Sequence, residues 1–153
     1  MKLFRIASRD FPVFDGTGAR LHGGRWSSPG SRIIYASLNI SCARLEVMAH
    51  RGLTKMPRNH GFVLITVPRG IKPEAVRPET LPADWNSLTR IDIAQAIGDA
   101  WIRRAASLLL QVPSVASPHD FNVLINQDHP DFHQITASAP LDLEWDKRHF
   151  GPP

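Results

Sequence analysis

From Ser8 to Ser31 the chain shows no apolar periodicity and carries Gly16, Gly18, Gly23, Gly24 and Gly30. Irregular stretches of this length are uncommon in a compact domain and tend to be functional. A regular doubly wound parallel sheet joins its elements by short connections and fits this pattern poorly. The expected fold is α+β, a single compact domain with a mixed or split β-sheet and flanking helices. A length of 153 residues suits one core, so residues 1–153 are read as one domain.

The other elements follow from pattern. Residues 3–7 read as a strand, with Phe4 and Ile6 on one face and Leu3 and Arg5 on the other. RIIYAS, residues 32–37, is β-branched and aromatic and reads as a second strand containing Tyr35. Ser41 is suited to cap a helix in which Leu45, Met48 and Ala49 recur at helical spacing, with Gly52 as its stop. Glu46 then falls mid-helix. FVLITV, residues 62–67, is the strongest strand signal, ended by Pro68 and a turn at Arg69-Gly70. A proline-rich connection over residues 71–89 leads to a helix over 91–106, in which Gly98 is a candidate bend. Residues 108–112 read as a buried strand; Pro113 has no N–H for a ladder, so Ser114 begins a loop. The remainder is expected to add one or two short strands and a closing loop.

A net charge of +4 and a pI near 9.8 favour anionic partners, leaving nucleotide, nucleic acid and acidic protein open. Cys42 is the single cysteine, which excludes an intrachain disulfide and a cysteine-based zinc site and suits a reducing cytoplasm. The N-terminus reaches Arg5 and Arg9 before any apolar stretch of signal-peptide length, and no membrane-length apolar run occurs. The expectation is a cytoplasmic protein with no membrane partner.

The candidate chemistry begins in GTGARLHGGRWSSPG, residues 16–30. Its glycines can expose backbone N–H groups to a phosphate, Arg25 can supply a bidentate charge, and Trp26 can offer an aromatic face. On composition alone, a surface loop with a structural tryptophan is the commoner outcome, and the spacing is not the dinucleotide fingerprint. Tyr35 on a strand is by itself more often a packing residue than a substrate platform. Glu46 is crowded by Leu45, Val47 and Met48, and a carboxylate held there needs a partner. His129 and His133 are separated by Pro130 and lack a following glutamate, so no metal is expected; Asn126, His129 and Asp131 suit loop hydrogen bonds. No histidine and acid can be assigned to Ser114 by sequence order alone.

Together these segments resemble the RES domain, the toxin half of a class of bacterial toxin–antitoxin modules, named for an arginine, a glutamate and a serine. FRIA, GTGARLHGGRWSSPG, RIIYAS, ARLEVMAH, GDAW, VPS and NVLINQDHPDF occur in family order over almost the whole chain. Ser27 stands where the family usually has asparagine, and Gln127 where it usually has proline. The resemblance carries over Arg25, Glu46 and Ser114 as catalytic residues, with Ser117 a competitor for the serine. It carries over Arg25, Tyr35, Trp26 and Asn126 as residues that bind NAD.

What the resemblance implies is an ADP-ribosyltransferase-like fold that uses NAD as substrate and breaks the nicotinamide–ribose bond. Arg25 would hold the phosphate or ribose side, Tyr35 would pack on nicotinamide, Glu46 would hydrogen-bond the ribose hydroxyls, and Ser114 would position the acceptor. Water, inorganic phosphate as co-substrate, or a protein side chain can fill that last place, giving a glycohydrolase, a phosphorylase or an ADP-ribosyltransferase. The implied partner is an Xre-type helix-turn-helix antitoxin, which would make the DNA contact, so no direct nucleic-acid binding is expected here. Two rivals are an RNA-cleaving or nucleic-acid-binding toxin, which lacks a basic amphipathic helix or an aromatic RNA-binding motif, and a plain binding module.

Overall fold

The computed structural model describes residues 1–51 and 56–150; the expected helix stop at Gly52 lies outside them. In chain order the elements are β1 (Lys2–Ser8), α1 (Thr17–His22), β2 (Ile33–Ser37), α2 (Ile40–Arg51), β3 (His60–Thr66), β4 (Glu74–Ala75), α3 (Asp92–Arg104), β5 (Leu109–Pro113), β6 (Phe121–Asn126), β7 (Thr136–Ala137) and β8 (Leu141–Asp142). The strands form one sheet in the order β4-β5-β6-β2-β1-β3-β7, with β8 also on β3. Only the β4–β5 pair is parallel, so the sheet is mixed, as expected.

The sheet is continuous but pinched. β1 pairs with β3 from Lys2 to Ser8 and β2 pairs with β6 along its whole length, whereas β1 and β2 meet at one pair, Phe4 opposite Ser37. Beyond it, the Arg5 guanidinium takes over from the ladder. Its Nη1 donates to the Tyr35 carbonyl at 2.9 Å, its Nε to Val13 at 2.6 Å and its Nη2 to Asp15 at 3.1 Å. Burial pushes Arg5 down to about 10, although the nearby Asp15 carboxylate pulls the other way.

Alternation along the strands gives the sheet two apolar faces. Leu3, Ile34, Ala36, Val63, Ile65, Val123 and Ile125 pack on one face beneath Val13, Phe14 and Ile135. Ile33, Leu110, Val112 and Leu124 line the other, beneath Trp26 and the Ala94 and Trp101 side chains of α3. Both Leu3 and Ile6 are buried, so β1 has apolar neighbours on each side. α2 packs over β1 and β2 and reaches the α3 face through Cys42 and Glu46, each of which meets Asn122 of β6.

Three local expectations change. The stretch from Ser8 to Ser31 contains α1, a six-residue helix between Gly16 and Gly23, the latter with φ of 70°. The cap of α2 is Asn39, whose Oδ1 accepts from the Cys42 N–H at 2.8 Å, because Ser41 already lies inside the first turn. Gly98, expected as a bend, is where α3 touches the Gly-rich segment, since a Cβ there would overlap the Trp26 carbonyl. Among the described residues no helix is long and apolar enough to cross a membrane.

Glycine to alanine in a helix ordinarily gains about 1 kcal/mol. For Gly98→Ala the backbone carbonyl in the way reverses the sign, with an expected loss of about 1–3 kcal/mol. Urea denaturation checks it, and a variant as stable as the parent contradicts the packing described.

Candidate functional site

α3 holds the Gly-rich segment along one helix face. Gln95 Nε2 donates to the Gly24 carbonyl at 3.0 Å and the Ser27 carbonyl at 3.3 Å, and Asp99 accepts from the Ser28 N–H at 2.9 Å and its hydroxyl at 2.6 Å. From below, the Tyr35 hydroxyl lies 2.9 Å from Ser27 Oγ and accepts the Trp26 N–H at 3.2 Å. Tyr35 is packed so closely that a Cβ on Gly24 would lie 2.6 Å from its hydroxyl. Burial pushes its phenol up to about 12 against the opposing hydrogen bonds from Ser27 and Trp26.

Held in this way, Arg25 projects toward the segment before α3, where its Nη1 donates to the Ser87 carbonyl at 2.9 Å and the Trp85 carbonyl at 3.5 Å. The Trp85 ring sits tilted on Trp26 with centroids 5.8 Å apart. Trp85 also lines a cavity of about 540 Å³ shared with Ser114, Phe121, Glu79, His119 and Asp120.

Glu46 adjoins this lining through Ser114. Its Oε1 accepts from Ser114 Oγ at 2.7 Å and from Asn122 Nδ2 at 2.5 Å. Asn122 is oriented in turn by the Ser37 hydroxyl, which donates to its Oδ1 at 2.6 Å. The β5–β6 loop fixes Ser114: its backbone N–H donates to the Asp120 carbonyl at 3.0 Å, and its Oγ accepts from the Ser117 N–H at 2.9 Å. The Ser117 hydroxyl itself goes to Asp120 Oδ2 at 2.6 Å. Of the two competing serines, Ser114 is therefore the one bonded to Glu46.

Glu46 and Ser114 are thus in direct contact, Tyr35 supports the turn that carries Arg25, and the two groups are linked through the cavity that Trp85 and Ser114 line. Trp26 is only 2% exposed, packed among Trp85, Ala94 and Trp101, and has no face to give a ligand. Asn126 stands apart from Glu46 and Ser114. It lies opposite Ile33, at the far end of β6 from Phe121 and Ser114, and its Oδ1 holds the Asp128 N–H at 3.0 Å. Asn122 is the asparagine of this strand that meets Glu46, and its only sequence signal is a polar residue within the apolar run FNVLIN. Gln95, Asp99 and Trp85 were also unread, because what they touch is distant in the chain.

The two departures from the family pattern are built in. Ser27, fully buried, bonds to Tyr35. Gln127 joins the end of β6 to the Gly-rich segment, its Oε1 accepting the Gly16 N–H at 2.7 Å and its Nε2 donating to Asp15 Oδ1 at 3.3 Å. His129 makes loop contacts, Nδ1 accepting the Asp131 N–H at 3.1 Å and Nε2 lying 3.2 Å from the Ala105 carbonyl. Among the described residues no three His, Cys, Asp or Glu side chains are grouped as metal ligands.

A family model described as the RES domain matches residues 2–146. A protein named Toxin Res from Photorhabdus laumondii is 32% identical over 151 residues, covering 97% of this chain and 96% of that protein. The Prs ADP-ribosylating toxin of Sphingobium sp. is 36% identical over 135 residues, 87% of this chain and 84% of its own. A chain of the M. tuberculosis MbcT-MbcA toxin-antitoxin complex superposes with a TM-score of 0.76 over 93% of this chain and 83% of that chain. At 18% identity that likeness speaks for the fold alone.

Tyr35 is the chain's one tyrosine, so its ionisation can be followed directly by absorbance. The native protein should form tyrosinate near pH 12 and the denatured chain near 10. The folded state holds the proton more tightly, so this contribution to stability is full below pH 10 and is lost as pH rises toward 12. Native ionisation near 10 would place the phenol in water instead.

Proposed function

This chain belongs to the RES domain family, and from that premise we propose that it is a toxin that destroys NAD by breaking the nicotinamide–ribose bond beside Glu46. The supporting observation is the asymmetry of that carboxylate. Both its hydrogen bonds, from Ser114 and Asn122, fall on Oε1, and among the described residues Oε2 receives none. One oxygen is fixed and the other is left for a ligand.

In the proposed reaction the bond between ribose C1′ and the pyridinium nitrogen breaks, and its electron pair stays on nicotinamide, which leaves neutral. Positive charge then spreads over C1′ and the ring oxygen. A preorganised carboxylate beside it stabilises that charge as it develops, and Oε2 can accept a hydrogen bond from a ribose hydroxyl. Arg25 uses Nη1 on two carbonyls, and its remaining donors would hold the pyrophosphate. Tyr35, with its hydroxyl tied and its ring beneath Gly24, would serve by positioning the Arg25 turn rather than by stacking on nicotinamide.

An acceptor completes the reaction. Water adds to C1′ and gives up a proton to yield ADP-ribose; inorganic phosphate would yield the 1″-phosphate, and a protein side chain a modified protein. The name of the Sphingobium relative supports the last of these as a second reading. The proposed restraint is an Xre-type helix-turn-helix antitoxin presenting an acidic surface to this basic chain.

Purified protein should deplete NAD, and mass spectrometry with and without phosphate identifies the acceptor from the product. Glu46→Gln should lower kcat by about 100-fold or more while the fold persists. Ser114→Ala, which frees one Glu46 oxygen of a hydrogen bond, should lower it by about 10-fold. Unchanged NAD turnover in folded Glu46→Gln would sink this reading.

A further inference from the structure

The cavity beside Ser114 has a chemistry that the roles above leave unused. Its described lining contains the Trp85 and Phe121 rings, the Glu79 and Asp120 carboxylates and His119, with no lysine or arginine. We propose that it is a cation-selective seat for the nicotinamide ring, with Trp85 as the stacking platform and Glu79 as the counter-charge. This rests on the NAD reading and adds which end of the dinucleotide enters the cavity and why.

NAD carries a negative pyrophosphate and a positive pyridinium ring. A wall with two carboxylates and no fixed cation repels the first and attracts the second. Asp120 is hydrogen-bonded by neutral donors, Asn39 Nδ2 at 2.9 Å and Ser117 Oγ at 2.6 Å, so no salt bridge cancels its charge. His119 is the basic group among these and occupies the left-handed third position of the turn from Ser117 to Asp120, with φ of 76°. A volume of about 540 Å³ has room for a nicotinamide ring.

Trp85 is built to stay in place. One side of the ring rests on Trp26, the Trp85 backbone N–H donates to the Pro82 carbonyl at 3.1 Å, and the Trp85 backbone carbonyl accepts from Arg25. An indole fixed in this way attracts a cationic ring through its π face. Arg25, bonded to the same segment, sits where the anionic half of the molecule would begin.

Such a seat has a directional consequence. The ring is cationic before cleavage and neutral after it, so the cavity holds NAD more tightly than released nicotinamide. It also discriminates against NADH, whose nicotinamide ring is neutral. Because this contact stabilises the bound substrate rather than the transition state, losing it should appear mainly in KM.

The test measures binding of the N-methylnicotinamide cation and of neutral nicotinamide to the full chain by tryptophan fluorescence, alongside NAD kinetics. The cation should bind about tenfold more tightly than the neutral ring, and Trp85→Ala should reduce that preference by about two- to fivefold. Glu79→Gln, at an exposed position that leaves packing intact, should reduce the preference by about two- to fivefold and raise KM for NAD more than it lowers kcat. Equal binding of the two rings by the parent chain, or an unchanged preference in Glu79→Gln, overturns the proposal. Tighter binding of arginine methyl ester than of the pyridinium cation also overturns it, in favour of a seat for a cationic protein side chain. If the parent chain fails to consume NAD, the NAD reading falls, whereas the charge preference of the cavity is still measured independently by the two rings.

Discussion

A single guanidinium stands where the sheet would otherwise come apart. Where β1 and β2 diverge after Phe4 and Ser37, Arg5 satisfies the carbonyls of Val13, Asp15 and Tyr35 from one planar fork. A lysine has no such geometry, and an apolar side chain would leave those acceptors unpaired at a cost of about 1–3 kcal/mol each where they are buried. The contacts join the two sheet halves and fix the start of the Gly-rich segment. They also hold the Tyr35 backbone, whose side chain points the other way to support that segment from below.

On this frame the α3 face is apolar except for a polar row at one edge. Ser114, Glu46, Asn122 and Ser37 form a connected set in which each side chain has a partner. A half-satisfied set in that position would destabilise the domain. The second charged group, Arg25, is placed by different means, through a loop clamped between α3 and Tyr35. The cation and anion of the candidate site therefore belong to separately supported walls with a cavity nearby.

The family pattern tolerates its two departures because each new residue makes the contact its place demands. Ser27 is buried yet hydrogen-bonded to the Tyr35 hydroxyl, and Gln127 ties the last residues of β6 to Gly16 and Asp15. Neither touches Glu46 or Ser114, and Ser27 instead supports the turn that carries Arg25.

What the sequence by itself determined was the identity of the long elements and the order of the site residues along the chain. Apolar periodicity and β-branched runs mark β1, β2, β3, α3 and β5, since each reports which side of its own element is buried. The same signal put Glu46 mid-helix and Tyr35 within a strand. It could not say what those side chains face, because Ser114 and Asn122 reach Glu46 across 68 and 76 residues of chain. Hence Trp26, read as a ligand surface, lies in the core, Asn122 rather than Asn126 meets Glu46, and Gly98 is a point of close contact. Those outcomes were decided only by the packing of α2, α3 and the Gly-rich segment onto one sheet, where the meeting of distant backbones sets which polar groups find partners.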